Sequence, residues 1–136
     1  WSSDVCSSDL LAVEDPRHIH KRTTMARTPE SLVKDKIHRV LKSAEAYAVN
    51  YIGGQYAKAG TPDILACIDG RFVGIEAKAG SNKPTMLQIS ALRHIDSAGG
   101  LALVINENNL TYLIGCLHDI RNAKSNYEQF DTHGIS

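Results

Sequence analysis

The chain has 136 residues, of which 15 are Lys or Arg, 15 are Asp or Glu and 43% are hydrophobic. This length suits a single domain with one hydrophobic core, and the composition is that of a globular protein, neither disordered nor fibrous. The net charge of zero argues against a strongly basic protein that coats nucleic acid, although it is compatible with a local basic site. The apolar runs are too short for a transmembrane helix, so no membrane partner is expected.

Residues 1–24 are predicted to be a leader that does not belong to the natural domain. Residues 1–10, WSSDVCSSDL, are the in-frame translation of TGGAGTTCAGACGTGTGCTCTTCCGATCT, which resembles a common sequencing adapter. Residues 11–24 are then interpreted as translated upstream DNA and Met25 as the natural start. A signal peptide is the alternative, but it would need a basic start followed by an apolar run. We therefore expect one domain over residues 25–136.

Two cysteines lie in the predicted domain, Cys67 and Cys116. Both have apolar neighbours and the chain shows no secretion signal, so we predict buried, reduced thiols in a cytoplasmic protein. A disulfide between them is the alternative. A structural metal site is not expected here, because it needs more ligands than two cysteines offer.

The first predicted helix begins after Thr28. Thr28 is a suitable N-cap, Pro29 fits the first helical position, and Glu30 complements the positive end of the helix dipole. Apolar residues follow at helical spacing. They are Leu32, Val33, Ile37, Val40, Leu41 and Ala44. Basic residues occupy the polar side, where a solvated face is the default interpretation and a face that binds the DNA backbone is the alternative. They are Lys34, Lys36, Arg39 and Lys42.

Three predicted strands follow the first helix. Residues 47–52 alternate and are rich in β-forming types, and residues 63–68 form a nearly continuous apolar run that is typical of a strand buried on both faces. The dipeptide Asp69-Gly70 is a strong hairpin signal, and residues 71–78 are predicted to be the returning strand.

The second half of the domain is predicted to contain another helix and two more strands. The helix is expected over residues 85–98 and a buried strand over residues 101–105. Residues 110–116 are predicted to be a last strand, residues 117–124 a short helix, and the chain from Ser125 a polar tail. This order predicts an α/β fold with a central mixed β-sheet flanked by helices.

The predicted hairpin indicates which side chains meet. In a two-residue hairpin Ile68 faces Arg71, and counting back along both strands brings Asp63 opposite Glu76. Opposed side chains share one face with Cβ atoms roughly 5 Å apart. Lys78 shares this face with Glu76, because side chains alternate along a strand. The sequence therefore predicts two carboxylates and one ammonium at one end of an apolar hairpin.

Two opposed carboxylates destabilise a sheet unless a cation compensates them. Lys78 would offset part of the repulsion and a divalent cation would offset more. Oxygen ligands suit Mg²⁺ or Mn²⁺. The alternative is a strand-end salt bridge between Lys78 and one carboxylate, which leaves the second acid unexplained.

These residues resemble a known family. Pro62-Asp63 followed by Glu76-Ala77-Lys78 matches the PD-(D/E)xK motif of a large nuclease superfamily, and the wider pattern resembles the virus-type replication-repair nuclease (VRR-NUC) domain. The resemblance covers nearly all of residues 28–105. The matching segments are residues 58–64, 70–72, 76–78 and 83–85, with Leu87-Gln88. The resemblance implies a restriction-endonuclease-like core and metal-dependent cleavage of phosphodiester bonds.

The resemblance also implies roles for individual residues. Asp63 and Glu76 would ligate Mg²⁺ or Mn²⁺, with the Ala77 carbonyl as a third protein ligand. Lys78 would hold and help to deprotonate the attacking water and would stabilise negative charge in the transition state. Gln88 matches a glutamine of the family's active-site helix that orients water or Lys78. It is also the last residue of a capping box, and both interpretations can hold together.

Four further site residues are predicted, three of them with an alternative interpretation. Glu30 matches an acidic residue that many relatives place near the metal, and the alternative is a first-turn acid that only complements the helix dipole. Tyr56 and Lys58, in the loop before Asp63, and Lys83 are predicted to contact DNA phosphates. A solvated loop is the alternative for Tyr56 and Lys58.

The predicted activity is that of a metal-dependent DNA endonuclease in a bacterial or phage-infected cell. Small members of the family often act as homodimers, so a homodimer is expected. Branched DNA, such as a Holliday junction or a flap, is the leading substrate. The alternatives are a nuclease for ordinary duplex or single-stranded DNA, in restriction or phage genome processing, and a non-catalytic DNA-binding protein with a relic site. No nucleotide cofactor is expected, since the chain has neither a Walker A loop nor a GxGxxG motif.

Overall fold

A computed structural model describes the backbone of residues 26–131 and the side chains of residues 26–124. The predicted leader over residues 1–24 lies outside the described residues. Within them the chain forms three helices and four strands. In chain order these are α1 (Pro29–Ser43), β1 (Tyr47–Asn50), β2 (Ile64–Ile68), β3 (Arg71–Ala77), α2 (Met86–Ser97), β4 (Leu101–Ile105) and α3 (Leu110–Asp131).

The four strands form one mixed sheet in the order β1-β2-β3-β4. The pairs β1–β2 and β2–β3 are antiparallel, whereas β3 and β4 are parallel. Helices α1 and α3 pack on the sheet and on each other, and α2 packs on β3 and β4. The predicted α/β class with a central mixed sheet is therefore confirmed. No helix within residues 26–131 combines the length and the hydropathy needed to cross a bilayer.

Helix α1 begins where the sequence predicts. The Ser31 N–H donates to Thr28 Oγ1 at 3.2 Å, so the N-cap supplies an acceptor to the first turn. Val33, Ile37 and Leu41 are buried on the side of α1 that faces the sheet. The core joins this stripe to apolar residues of three strands and of α3. These partners are Ile64, Ala66, Ile68, Val73, Ile75, Ala77, Leu103, Ile105, Leu113, Leu117 and Ile120.

The hairpin between β2 and β3 has the predicted register. Asp69 and Gly70 both have positive φ, 49° and 80°, as a type I′ turn requires. Ile68 pairs with Arg71, and the pairing continues to Ile64 opposite Ile75. One further step along each strand brings Asp63 and Glu76 to the same end of the hairpin.

The prediction of a last strand over residues 110–116 is wrong, whereas the predicted helix over residues 117–124 is part of a longer helix that continues into the predicted tail. One helix, α3, spans Leu110–Asp131. The reason is tertiary, because Leu113, Leu117 and Ile120 recur at helical spacing and are all buried against the sheet and α1. β4 therefore remains an edge strand of the described sheet.

The predicted burial of β2 on both faces is also wrong. Residues of β2 alternate between buried and more exposed, and Cys67 is exposed. Cys116 is half-buried, and both thiols are free, which excludes the alternative disulfide. The physical reason is that α2 packs on β3 and β4, so it leaves the Cys67 side of β2 uncovered.

The turn of the hairpin is tied to α3 through Asp69. Its carboxylate accepts from Arg121 Nε at 3.2 Å and lies 3.5 Å from Lys124 Nζ. The hydrogen bond and the charge of Arg121, helped by Lys124, lower the pKa of Asp69 below its ordinary value of 3.8. A depressed carboxyl pKa contributes stability that is present above the unfolded pKa and is lost as pH falls through the folded one.

Asp69→Asn is therefore expected to lower Tm slightly at pH 7, because asparagine keeps the turn but has no charge to attract Arg121. The difference from the wild type should shrink as pH falls below 3.8 and vanish below the lower pKa of the folded state. Thermal unfolding followed by circular dichroism at both pH values measures it. An equal loss of Tm at both pH values would show that the charge of Asp69 contributes nothing.

Candidate metal centre

Three carboxylates meet where the hairpin ends and α1 begins. Asp63 directly precedes β2, Glu76 lies near the end of β3, and Glu30 lies in the first turn of α1. One oxygen from each carboxylate can be chosen so that all three lie within 4.8 Å of one another. The hairpin register explains the first two, while the packing of α1 against the sheet brings the third. These residues are called the acid cluster below.

The carboxylate of Asp63 is held on both sides. Its Oδ2 accepts from the Ala77 N–H at 3.0 Å, and its Oδ1 lies 2.7 Å from Lys34 Nζ. The N–H and C=O of one strand residue point to the same side of the strand, so the Ala77 carbonyl is also directed to the Asp63 side. Ala77 thus contacts the acid cluster through its N–H, and its role as a carbonyl ligand stays a prediction.

Glu76 is the buried member of the acid cluster, with an exposed fraction of 1%. Its Oε1 lies 2.8 Å from Lys78 Nζ and also accepts from Gln88 Nε2. Its Oε2 is buried and has no hydrogen-bond partner among the described residues. A buried, unpartnered carboxylate oxygen is costly, which suggests that something beyond these residues completes the site.

Burial raises the pKa of Glu76 above its ordinary value, and the charge of Asp63 raises it further against the opposing effect of Lys78. Burial lowers the pKa of Lys78, but the hydrogen bond and the charge of Glu76 outweigh burial, and Glu30 and Asp63 add to them, so the net pKa is raised. Lys78 therefore remains a cation at neutral pH in the free protein. These are the directions expected where several acids share one small, poorly hydrated site.

The donor set fits a hard divalent cation. The acid cluster offers only oxygen ligands, and the Ala77 carbonyl adds another oxygen on the same side. The orphaned Oε2 of Glu76 is the atom that most needs such an ion. A cation would also offset the repulsion among the three carboxylates.

Gln88 completes the predicted capping box, and its side chain contacts Glu76 rather than Lys78. Its backbone N–H donates to Thr85 Oγ1 at 3.3 Å, and its Oε1 accepts from the Thr85 N–H at 2.8 Å, which completes the capping box of α2. Its Nε2 is then left to donate to Glu76. The cap orients the amide, so the start of α2 fixes one side of the acid cluster.

Lys34 is a member of the site that the sequence interpretation assigned to a solvated face. Its ammonium contacts Asp63, and its side chain is only 32% exposed. The available signal was its spacing, since Lys34 follows Glu30 by four residues and therefore lies on the same face of α1.

Three of the predicted site residues do not contact the acid cluster. Tyr56 has an exposed fraction of 96%, and Lys58 and Lys83 are exposed. Within the described residues, no hydrogen bond or salt bridge joins their side chains to the acid cluster. Their predicted contacts with DNA therefore remain predictions.

The loop that leads to Asp63 depends on Gly60. Gly60 has φ of +81°, and a Cβ atom there would lie 2.4 Å from Leu87 O and 3.0 Å from Gln88 N. The loop thus packs directly against the first turn of α2. Gly70 has nearly the same φ, +80°, but open space around its Cβ position.

Gly60→Ala is therefore expected to be more harmful than Gly70→Ala. The left-handed backbone costs an alanine about 1–2 kcal/mol at either position, and the contact with α2 adds about 1–3 kcal/mol at Gly60 only. Urea unfolding of both variants measures the difference. Equal losses in the two variants would contradict the close packing of the loop on α2.

An α/β sheet with an acid cluster, a largely buried lysine and a glutamine at one strand end defines a candidate metal centre. No family model matches the chain. No curated protein matches it either. A solved structure described as "VRR_NUC domain" has the same fold, with a TM-score of 0.50 and 15% sequence identity, over 71% of this chain and 97% of that chain. The chain is thus similar in fold to a VRR-NUC domain, which confirms the predicted resemblance and the restriction-endonuclease-like core at the level of fold.

Proposed function

We propose that this protein is a Mg²⁺- or Mn²⁺-dependent DNA endonuclease that hydrolyses phosphodiester bonds. The observation that carries the proposal is Glu76, a buried carboxylate with one unpartnered oxygen, beside Asp63 and Glu30. A buried carboxylate oxygen without a hydrogen-bond partner is costly, and a divalent cation would satisfy it. The fold shared with a VRR-NUC domain supports the same class of activity.

In the proposed site Asp63, Glu76, Glu30 and the Ala77 carbonyl hold the metal. A bound divalent cation would lower the pKa of a water molecule and polarise the phosphoryl oxygen. As an ammonium, Lys78 supplies a positive charge where negative charge develops on the phosphate and can donate a hydrogen bond to the attacking water. Only its neutral amine could accept the proton of that water, and a bound divalent cation would favour this form by repelling the ammonium. Gln88 positions the Glu76 carboxylate through its Nε2 donor.

We propose branched DNA, such as a flap or a Holliday junction, as the preferred substrate. The supporting observation is that the chain is neutral overall, which fits a localised site better than broad coating of duplex DNA. Tyr56, Lys58 and Lys83 would contact phosphates around this centre. A homodimer in the cytoplasm of a bacterial or phage-infected cell is part of the same proposal.

A cleavage panel tests this function. The full chain is incubated with linear duplex, single-stranded, flapped and four-way DNA, each with Mg²⁺, Mn²⁺ or excess chelator. We expect metal-dependent cleavage that is fastest on branched DNA. Fastest cleavage of linear DNA would support the restriction or genome-processing alternative, and binding without cleavage would support the relic-site alternative. Undiminished cleavage in excess chelator would contradict the metal mechanism.

A further inference from the structure

Each of two acids in the site is paired with a lysine of its own, and the two lysines have different surroundings. Lys78 lies just beyond β3, is 12% exposed and contacts Glu76. Lys34 lies on α1, is 32% exposed and contacts Asp63. The first ammonium is enclosed, whereas the second has a path to solvent. Lysine also has a flexible four-carbon stem, so a partly exposed ammonium can move away from its partner.

The contact of Lys34 uses the oxygen that a metal would need. Oδ2 of Asp63 is already engaged by the Ala77 N–H, which belongs to the strand-end backbone. Oδ1 accepts no backbone hydrogen bond and is therefore the more available oxygen for a ligand, and it lies 2.7 Å from Lys34 Nζ. A Mg²⁺ ion would approach that same oxygen to about 2.0–2.1 Å. An ammonium and a divalent cation on one oxygen atom would repel each other strongly in a half-buried site.

The formal charges of the site also indicate that Lys34 and a divalent cation compete for Asp63. The acid cluster carries three negative charges, and Lys34 and Lys78 carry two positive ones. Adding a divalent cation while both lysines stay leaves an excess positive charge in a site with little water. Moving Lys34 outward leaves the metal and Lys78 to balance the three acids.

We propose that Lys34 is an exchange partner of the metal: it neutralises Asp63 in the metal-free protein and releases this carboxylate when the divalent cation binds. This inference rests on the proposed function, because it presupposes a metal at the acid cluster. It makes Lys34 a positioning residue that keeps Asp63 in place before the metal arrives. The released ammonium then lies at the open side of the site, where a DNA phosphate would be its nearest new partner.

The test measures metal binding rather than cleavage. Mn²⁺ is titrated into the full chain by isothermal titration calorimetry, for the wild type and for Lys34→Met, Lys34→Arg and Lys42→Met. Methionine keeps the length of the side chain without its charge. Lys42 lies in the last turn of the same helix and is exposed, so Lys42→Met controls for the loss of one positive charge.

We expect Lys34→Met to bind Mn²⁺ about tenfold more tightly than the wild type, because no ammonium competes for Asp63. Lys34→Arg and Lys42→Met should bind like the wild type. A purely structural role of Lys34 predicts the opposite, a weaker affinity together with a less stable site. Equal or weaker Mn²⁺ binding by Lys34→Met would overturn the inference. If this variant does not fold without metal, the same comparison is made with Lys34→Gln.

The same titrations distinguish failure of the proposed metal centre from failure of the proposed exchange by Lys34. Absence of Mn²⁺ binding by the wild type, or unchanged binding by Asp63→Asn, would overturn the metal centre and the exchange with it. Binding by the wild type that Asp63→Asn abolishes, with no gain in Lys34→Met, would overturn the exchange alone. At saturating Mn²⁺, Lys34→Met should also raise the KM for DNA about tenfold through the lost phosphate contact. An unchanged KM would overturn that contact.

Discussion

Glu76→Gln is expected to reduce metal-dependent cleavage by about 10²–10³-fold or more, while the protein stays folded. Glutamine has the shape of glutamate, so its Oε1 can still accept from Lys78 and Gln88. It replaces the unpartnered Oε2 by an NH₂ group, which cannot ligate a cation. The substitution therefore removes the proposed metal ligand and leaves Lys78 a neutral hydrogen-bond acceptor in place of its charged partner.

Two measurements separate a lost metal site from a lost fold. The thermal midpoint of the wild type should rise with added Mn²⁺, because a ligand that binds only the native state stabilises it. Glu76→Gln should unfold cooperatively but lose this rise. Asp63→Asn should behave in the same way, since its side-chain oxygen can still accept from the Ala77 N–H. Full cleavage activity in Glu76→Gln would contradict the proposed mechanism.

Lys78→Ala is a less clean test of catalysis. It would leave the carboxylate of Glu76 buried without its cationic partner, and a buried charge that loses its partner is strongly destabilising. Reduced activity in that variant would mix lost catalysis with lost stability. The conservative variants of Asp63 and Glu76 are therefore the decisive ones.

Leu113→Ala is expected to destabilise the protein by about 2–5 kcal/mol, because it removes a fully buried side chain that α3 contributes to the core. Ile114→Ala on the same helix should change stability by no more than about 0.5 kcal/mol, because Ile114 is exposed. Urea unfolding of the two variants gives both values.

The difference in stability between Leu113→Ala and Ile114→Ala discriminates between the observed helix and the strand that the sequence predicts for residues 110–116. A strand with one buried face would place Tyr112 and Ile114 together and Leu113 on the opposite face. The helix buries Leu113 and leaves Tyr112 and Ile114 exposed. A larger loss of stability from Ile114→Ala than from Leu113→Ala would contradict the helix.

The predictions that depended on local chemistry were confirmed. The Asp69-Gly70 turn determines the hairpin register because few residues tolerate two consecutive positive φ angles, and the register in turn brings Asp63 and Glu76 to one end. The caps at Thr28 and Thr85 likewise fixed where two helices begin. Such signals act within a few residues, so they can be read without the fold.

The errors share a physical cause in long-range packing. Residues 110–116 contain β-forming types, and only the sheet and α1 beneath them decide that a helical stripe is buried instead. The exposure of Cys67 depends on which strands α2 covers. The sequence predicts a solvated position for Lys34, because nothing within α1 indicates that Asp63 lies close to its ammonium.

The sequence by itself therefore determined the α/β class, the hairpin and the meeting of Asp63, Glu76 and Lys78, because turn geometry and strand alternation are local properties. Only the tertiary structure decided that Glu30 and Lys34 join them, that Gln88 reaches Glu76 and that one oxygen of Glu76 is left buried without a partner. Those facts depend on where two helix N-termini dock against the sheet end. Docking is set by the summed burial of many apolar side chains, which no short motif encodes.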